Sequence, residues 1–376
     1  MKILIAPNSF KQCSDSVSLS KLLYEFLSKR INTDYLISPI SDGGDGFLNV
    51  CDYHFNGKIL TYLISTAYDN SKFKCDVLYD VQKNEIYIES ADIIGMKVIP
   101  AEKMNAILLS SKGLGELLKL IAKDCSSNRI EVNRVIIGIG GTATIDMGLG
   151  ACSALGFKLF GEKNKELTVI PKNFHKVKSV EWEQLKLPFT LSCILDVNNP
   201  LFGEKGGIKI YGKQKGASKN EINIIEKGMG NILQLISKRL VIKKDLFLSG
   251  AGGGIPAGLK LFFGSKDVSA EEFILNYLKL QSKITCADML ITGEGSFDEQ
   301  SFMGKGAGIL VREALKLEKR IFLICGKVSE EIKMKMIENT MVIELRKFFE
   351  NEEESISNYK KGIEMAAELI AKVIKA

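Results

Sequence analysis

The residues of this 376-residue chain with types suited to chemistry gather in five polar, glycine-bearing loops, each following an apolar run: "PNSFK", "SDGGDG", "IGGTATIDMG", "LDVNNP" and "TGEGSFDEQSFMGK". Lys11 and Lys305 suit anionic oxygens. Asp42, Asp45, Asp146, Asp196, Glu294 and Asp298 supply carboxylates, and the glycines let backbone N–H groups approach a ligand. Phosphoryl transfer requires this combination: donors around a polyphosphate, carboxylates that hold Mg²⁺ directly or through water, and one carboxylate that orients or deprotonates the attacking hydroxyl. Five such loops point to one shared cleft.

Each loop taken alone has a purely structural account. Asp42 before glycine is ordinary turn or helix-cap chemistry, and Lys11 reads as an exposed loop lysine. Asn-Pro after Asp196 is itself a turn signal, although strand ends are where α/β enzymes place reactive groups. Glu294 and Asp298, four residues apart, hold a metal or satisfy loop N–H groups. The cluster "SGAGGGIPAG" carries no charged residue and reads as close packing unless a nucleotide lies against it. Gly138, Gly140 and Ala143 satisfy the loose G-x-G-x-x-G/A form behind a strand at Val135–Ile139, but a tight turn packed on a neighbour explains them equally. The Gly-Lys-Ser/Thr ending of a Walker A loop is absent from the chain.

Composition narrows the chemistry. Hydrophobic residues make up 45% and charged residues 26%, an ordinary globular balance. The formal charge of +6, from 51 basic and 45 acidic side chains, is scattered and suits an anionic small substrate better than nucleic acid. The lysine-dotted stretch Lys158–Lys186 reads as a solvated surface excursion. Two histidines, His54 and His175, give no support to a His-rich metal site, and eight cysteines without a C-x-x-C pair read as reduced core thiols. No apolar run reaches membrane-spanning length and no signal h-region follows Met1, so the expectation is a cytoplasmic protein without a membrane partner.

These loops must be positioned by alternating strands and helices. "KILIAP" is a strand, followed by helical spacing at Leu19, Leu22, Leu23, Phe26 and Leu27. "DYLISPI", "ADMLITGEG" and "RIFLICG" repeat the pattern of strand then loop, with helical spacing at Ile309, Leu310, Ala314 and Leu317. Ile356, Tyr359, Ile363, Ala367, Ile370 and Ile374 mark a C-terminal amphipathic helix on the outer sheet. The expected fold is α/β with two α/β domains. Residues 1–64 and 284–376 form a discontinuous, Rossmann-like, doubly wound parallel sheet, and 65–283 form an inserted α/β domain.

In chain order these loops resemble the bacterial glycerate kinase family, the type that phosphorylates D-glycerate with ATP and lacks a Walker A loop. Members carry A-P-D-S-F-K-G, where "APNSFKQ" stands here, and A-D-G-G-E-G, matched by "SDGGDG". T-S-Y-G-T-G-E-L is matched by "SSKGLGEL", and I-G-I-G-G-S-A-T-N-D-G-G by "IGIGGTATIDMG". C-D-V-D-N-P-L is matched by "LDVNNPL", followed by "GKQKGA", "SGAGGGIPAGL" and "TGEGSFDEQSFMGK".

The resemblance implies a kinase that uses ATP and Mg²⁺, takes D-glycerate in an interdomain cleft and favours 2-phosphoglycerate as product. It implies Asp196 or Asp42 as base, with Lys11 on charged oxygens. Ser9, Gly43, Gly44, Gly140, Gly141, Thr142, Thr144, Asp146 and Lys305 are implied on substrate or phosphate. Gly252, Gly253, Gly293 and Glu294 are implied on nucleotide, and Glu294 and Asp298 on metal.

The chain departs from the family pattern at Asn8 for Asp, Gln12 for Gly, Lys112 for Tyr, Ile145 for Asn, Met147 for Gly, Asn198 for Asp and Ser296 for Arg. Loss of the arginine removes a bidentate anion partner, which Lys112 is a candidate to replace. Three alternatives stand beside this reading: a non-catalytic sugar-acid or nucleotide sensor, a kinase for another small hydroxy acid, and an NAD(P)-dependent oxidoreductase built on the Gly138–Ala143 loop. The last lacks a suitable acidic residue after the following strand.

Overall fold

Short apolar runs broken by glycine, proline and polar clusters build two compact units. The computed structural model describes residues 1–183, 185–243, 246–302, 304–329 and 339–376. One unit comprises Met1–Asn56 with Ser269–Ala376, and the other comprises Gly57–Val268. These boundaries differ from the expected 64/65 and 283/284. Lys58–Ser65 is a strand that pairs along its whole length with Lys72–Asp80 and so belongs to the second unit's sheet. The segment from Ala270 is helical, and its Phe273 ring packs on Phe47 of the first unit.

The first unit holds five strands: β1 (Lys2–Ile5), β2 (Asp34–Ile37), β12 (Met289–Phe297), β13 (Arg320–Val328) and β14 (Thr340–Glu344). All are parallel, in the spatial order β14-β13-β12-β1-β2. Counted within the unit, this is the doubly wound order 2-1-3-4-5, whose direction reverses between β1 and β12. The loops leaving those two strands are therefore where such a sheet takes a ligand. Alternate residues of the strands, among them Ile3, Ile5, Ile291, Phe322 and Ile324, form one core with Leu19, Leu23, Ile363, Ala367 and Ile370. The helices that carry those partners, Ser16–Ser28 and Tyr359–Lys375, follow the expected spacing. Asp15 caps the former by accepting from the Val17 and Ser18 N–H groups, worth about 1 kcal/mol.

Gln12 stands where the family pattern has glycine, at φ +70°, in the left-handed region that penalises a side chain. Gln12→Gly is therefore expected to raise stability by about 0.5–1 kcal/mol, read as a higher denaturant midpoint at unchanged slope. An unchanged or lower midpoint would show that the loop carries no such strain.

The second unit's main sheet contains β3 (Lys58–Ser65), β4 (Lys72–Asp80), β5 (Glu85–Glu89), β6 (Arg134–Gly138), β10 (Thr190–Leu195) and β11 (Lys266–Ser269), in the order β11-β10-β6-β5-β4-β3. The central β5, β6 and β10 are parallel, whereas β4 runs antiparallel to both of its neighbours, β5 and β3. Lys158–Lys186 is not simply a surface excursion. It contains most of a small antiparallel sheet of β7 (Phe157–Phe160), β8 (Glu166–Leu167) and β9 (Ser179–Trp182). Its lysines point to solvent, while Leu159, Phe174, Val177 and Val180 are buried with Ile225 and Met229 of the helix Lys219–Ser237.

Among the described residues no helix is long and apolar enough to cross a membrane. The eight cysteines are free, and five of them are buried.

Candidate functional site

In the first unit the β1 loop, the β2 loop and the end of β12 converge. Thr292 Oγ1 donates to the Ala6 carbonyl at 2.8 Å, and the Asn8 N–H to the Gly293 carbonyl at 2.8 Å, which ties the β1 loop to β12. Ser16 Oγ donates to the Pro7 carbonyl and accepts from the Ile40 N–H, which ties it to the β2 loop. The buried Asn8 donates from its side-chain amide to Asp42 Oδ2 at 3.2 Å. An aspartate here, as in the family pattern, would set two carboxylates against each other, so Asn8 gives Asp42 a donor. Ser9 and Asp42 are half-buried and Lys11 is exposed. Gly43 adopts φ +94° and its N–H donates to Ser41 Oγ, so that turn needs glycine.

Glu294 carries a strongly perturbed carboxyl. It lies on β12, 6% exposed, and its Oε1 is buried with no hydrogen-bond partner among the described residues. Burial pushes its carboxyl up to about 7. Asp42 and Asp298 push the same way, against a Ser301 hydrogen bond and the Lys305 charge. Asp298, Lys305 and Asp42 are thus within its electrostatic reach. Lys305, half-buried, is the N-cap of the helix Gly306–Lys316, adding a charge at the positive end of a helix.

Gly293 has a structural reason to be glycine, because a Cβ there would lie 1.8 Å from the Ile324 carbonyl oxygen of β13. Strand packing alone accounts for this glycine.

Among the described residues no group of three or more His, Cys, Asp or Glu is arranged to hold a metal ion. Mg²⁺ does not require such a group, since it usually takes one or two carboxylates, waters and substrate phosphates. An orphaned, buried carboxylate oxygen with further carboxylates near it is an all-oxygen donor set that fits this ion.

In the second unit β6 and β10 are parallel neighbours with Gly138 opposite Ile194, so the loop after β6 and Asp196 leave the same end of the sheet. Asp196 is half-buried, one residue beyond β10. The loop does not lie open as a phosphate cradle. Its backbone is stitched to residues 94–96 through the Gly141 carbonyl and Ala143 N–H, to β10 through the Ile139 N–H, and to Gly253 through the Met147 N–H. From Gly140 to Gly150 only Gly141, at φ +74°, is exposed.

Asp146, expected on substrate or phosphate, is fully buried and turned inward. Its carboxylate accepts from the Ser111 N–H and Oγ at 2.7 and 2.8 Å and from the Gly148 and Gly150 N–H groups at 3.0 and 3.2 Å. Burial pushes its carboxyl above the usual range, against those bonds. With both oxygens taken by protein, Asp146 anchors the loop to the start of the helix Lys112–Ser126. Asp146→Ala is expected to cost about 3–5 kcal/mol by stranding buried donors, measured by denaturant unfolding. A loss below 1 kcal/mol would contradict the anchoring role.

Thr142 and Thr144 are likewise turned inward, to a lysine that the loop inventory did not single out. Lys215 Nζ donates to Thr142 Oγ1 at 3.2 Å and to the Thr144 carbonyl at 3.1 Å, and the residue is 4% exposed. Burial pushes its ammonium down to about 8, opposed by Asp196 and Asp146. Its only signal in the sequence was "GKQKGA". Thr144 Oγ1 is buried without a partner.

Gly252 and Gly253 are explained by packing, as the loop's lack of charge suggested. A Cβ on Gly252 would lie 2.4 Å from Ile139 Cγ2, and one on Gly253 1.9 Å from the Thr144 carbonyl oxygen. They close on the β6 loop. Lys112, the candidate for the missing arginine's charge, lies 3.8 Å from Glu116, which also accepts from Lys72, Ser65 Oγ and the Ser65 N–H.

The glycerate kinase family model matches residues 3–375. The chain is 31% identical to the glycerate kinase of Haemophilus influenzae, over 88% of this chain and 87% of that one. It is 30% identical to the glycerate 2-kinase of Escherichia coli K12, with the same coverage of each chain. The crystal structure of a protein assigned as glycerate kinase 2 from Salmonella typhimurium LT2 superposes with a TM-score of 0.77 at 25% identity, covering 100% of this chain and 98% of that one.

Proposed function

The chain belongs to the glycerate kinase family, and from that premise we propose that it transfers the γ-phosphoryl group of ATP to D-glycerate and yields 2-phosphoglycerate. The observation that carries this reading is the first unit's cluster at the reversal point of its sheet, where Asp42, Asp298 and Lys305 lie within electrostatic reach of the buried Glu294 carboxylate, whose Oε1 has no hydrogen-bond partner among the described residues. Relatives named glycerate kinase and glycerate 2-kinase supply the acceptor and the favoured hydroxyl.

In the proposed mechanism Glu294 and Asp298 would hold Mg²⁺, which when bound would neutralise charge on the nucleotide phosphates. Lys305, at the start of its helix, and the exposed Lys11 attract anionic oxygens of nucleotide and acid. Ser9, Gly44 and the exposed Gly141 lend polar groups at the loop surfaces, and the buried Gly43 and Gly140 shape the turns that carry them. A carboxylate accepts the proton of the glycerate hydroxyl as its oxygen bonds to the γ-phosphorus and ADP departs. Asp196 and Asp42 are the two candidates for that base, one in each unit. Both are half-buried at strand-end loops, whereas Asp146 is occupied by its own loop.

The test is ADP release from ATP and Mg²⁺ with D-glycerate, beside L-glycerate and a blank without acceptor, with the phosphoester located by NMR. Turnover with D-glycerate and a 2-phosphoester is the expected result. A 3-phosphoester would overturn the regiochemistry, and ATP binding without turnover would favour the sensor.

A further inference from the structure

A lysine ammonium buried to 4% exposure is costly to keep charged, and a lysine whose role was only to fill space would be replaceable by an apolar chain of the same length. Lys215 is not merely buried. Its two hydrogen-bond acceptors both belong to the loop after β6, two residues apart, so the ammonium spans the Thr142–Thr144 segment from inside. The same ammonium lies in the field of Asp196, at the end of the neighbouring strand.

Resting on the proposed phosphoryl transfer with Asp196 as a base, we propose that Lys215 is a positioning residue of that reaction. Its ammonium clamps the Gly140–Thr144 loop and supplies the positive charge that holds Asp196 in place, without itself touching substrate.

Several features agree with a clamp rather than a ligand contact. Thr142 is bridged by backbone pairing to Gly95, so the ammonium secures a segment already docked on one side. The following Gly216 adopts φ +86°, a turn that ends the helical stretch Lys213–Lys215 and leads into Ala217, itself buried. Arginine, with a longer planar fork, would not fit the two acceptors that one ammonium serves.

The charged groups in the field of Lys215 are Asp196 and Asp146. They raise its proton affinity, and burial lowers it further than they raise it. The folded protein therefore releases this proton near pH 8, below the ordinary value of 10.5 in the unfolded chain. The sign follows from linkage: between those values the unfolded chain binds more protons, so stability rises with pH while the clamp's charge is being lost. A positioning role thus predicts that activity falls, as pH rises through about 8, while the fold becomes firmer. A merely structural lysine would leave the rate unaffected by that proton.

The experiment uses the full chain. Lys215→Met is expected to lower kcat about 100-fold with KM for ATP changed less than about threefold, without lowering the thermal midpoint. Lys215→Arg is expected not to rescue it. NMR titration of isotopically labelled lysine is expected to show one signal with a midpoint near 8, absent in Lys215→Met. Both Asp196→Asn and Thr142→Val are expected to shift that signal to lower pH, because each removes a partner of the charged form. Thr142→Val serves in place of Lys215→Met if the latter fails to fold.

Near wild-type kcat in a folded Lys215→Met enzyme would overturn the proposal. So would a lysine signal that neither partner variant moves. If the wild-type protein does not phosphorylate glycerate, the functional reading fails by that assay, and the titration still judges the clamp.

Discussion

Asp196→Asn is expected to lower kcat by about 10²–10⁴-fold, the range for loss of a general base, while KM for ATP stays close to wild type. Asparagine has the volume and polarity of the residue it replaces but does not accept a proton at neutral pH. Asp196 is half-buried one residue past β10, so the fold should persist and the thermal midpoint should shift by only a few degrees. Asp42→Asn is the necessary companion. Asp42 already accepts the Asn8 side-chain amide, and an asparagine in its place can still offer that amide an oxygen. The larger loss in kcat identifies the base. If both variants kept near wild-type turnover, neither carboxylate would be it.

Glu294→Gln is expected to separate stability from function. Removing a buried carboxylate whose Oε1 has no partner should raise the stability of the metal-free protein at pH 8 by about 1–3 kcal/mol, because the charged form is the one that burial penalises. The same change should lower kcat by about 10²-fold or more and blunt its response to Mg²⁺, since a neutral amide binds a hard cation poorly. Urea unfolding in a chelator, set beside rate against Mg²⁺ concentration, measures both. A stabilised variant with normal Mg²⁺ response would move the metal away from Glu294. A destabilised one would mean that Oε1 has a partner in solution.

Departures from the family pattern show how local and non-local causes divide. Gln12 and Met147 stand where the family pattern has glycine, and both adopt positive φ, at +70° and +56°. At Met147 the side chain is fully buried, and its packing offsets the strain that the exposed Gln12 bears uncompensated.

Periodicity alone was enough to read β1, β12, β13 and the helices Ser16–Ser28 and Tyr359–Lys375, because strand and helix spacing is written within each segment. It also placed Asp196 and Lys305 at a strand or helix end, since glycine and polar residues mark where those elements stop, but Glu294 lies within β12, which continues through the glycines to Phe297. What depends on distant neighbours is not written in the local pattern. Nothing near Asp146 reveals that Ser111, 35 positions away, donates to its carboxylate twice. Nothing near Gly252, Gly253 or Gly293 shows which backbone closes on them. Lys215 looked like any other lysine in a basic stretch, because burial of an ammonium is decided by Thr142 and Thr144, more than 70 positions earlier.

The sequence by itself determined the α/β class, the glycine-loop inventory and the kinase family. The tertiary structure decided where the two units divide, which carboxylates stay accessible and which lysine is enclosed. The physical reason is that periodicity and turn chemistry are local properties of the chain, whereas burial and hydrogen-bond satisfaction belong to partners that only folding brings together.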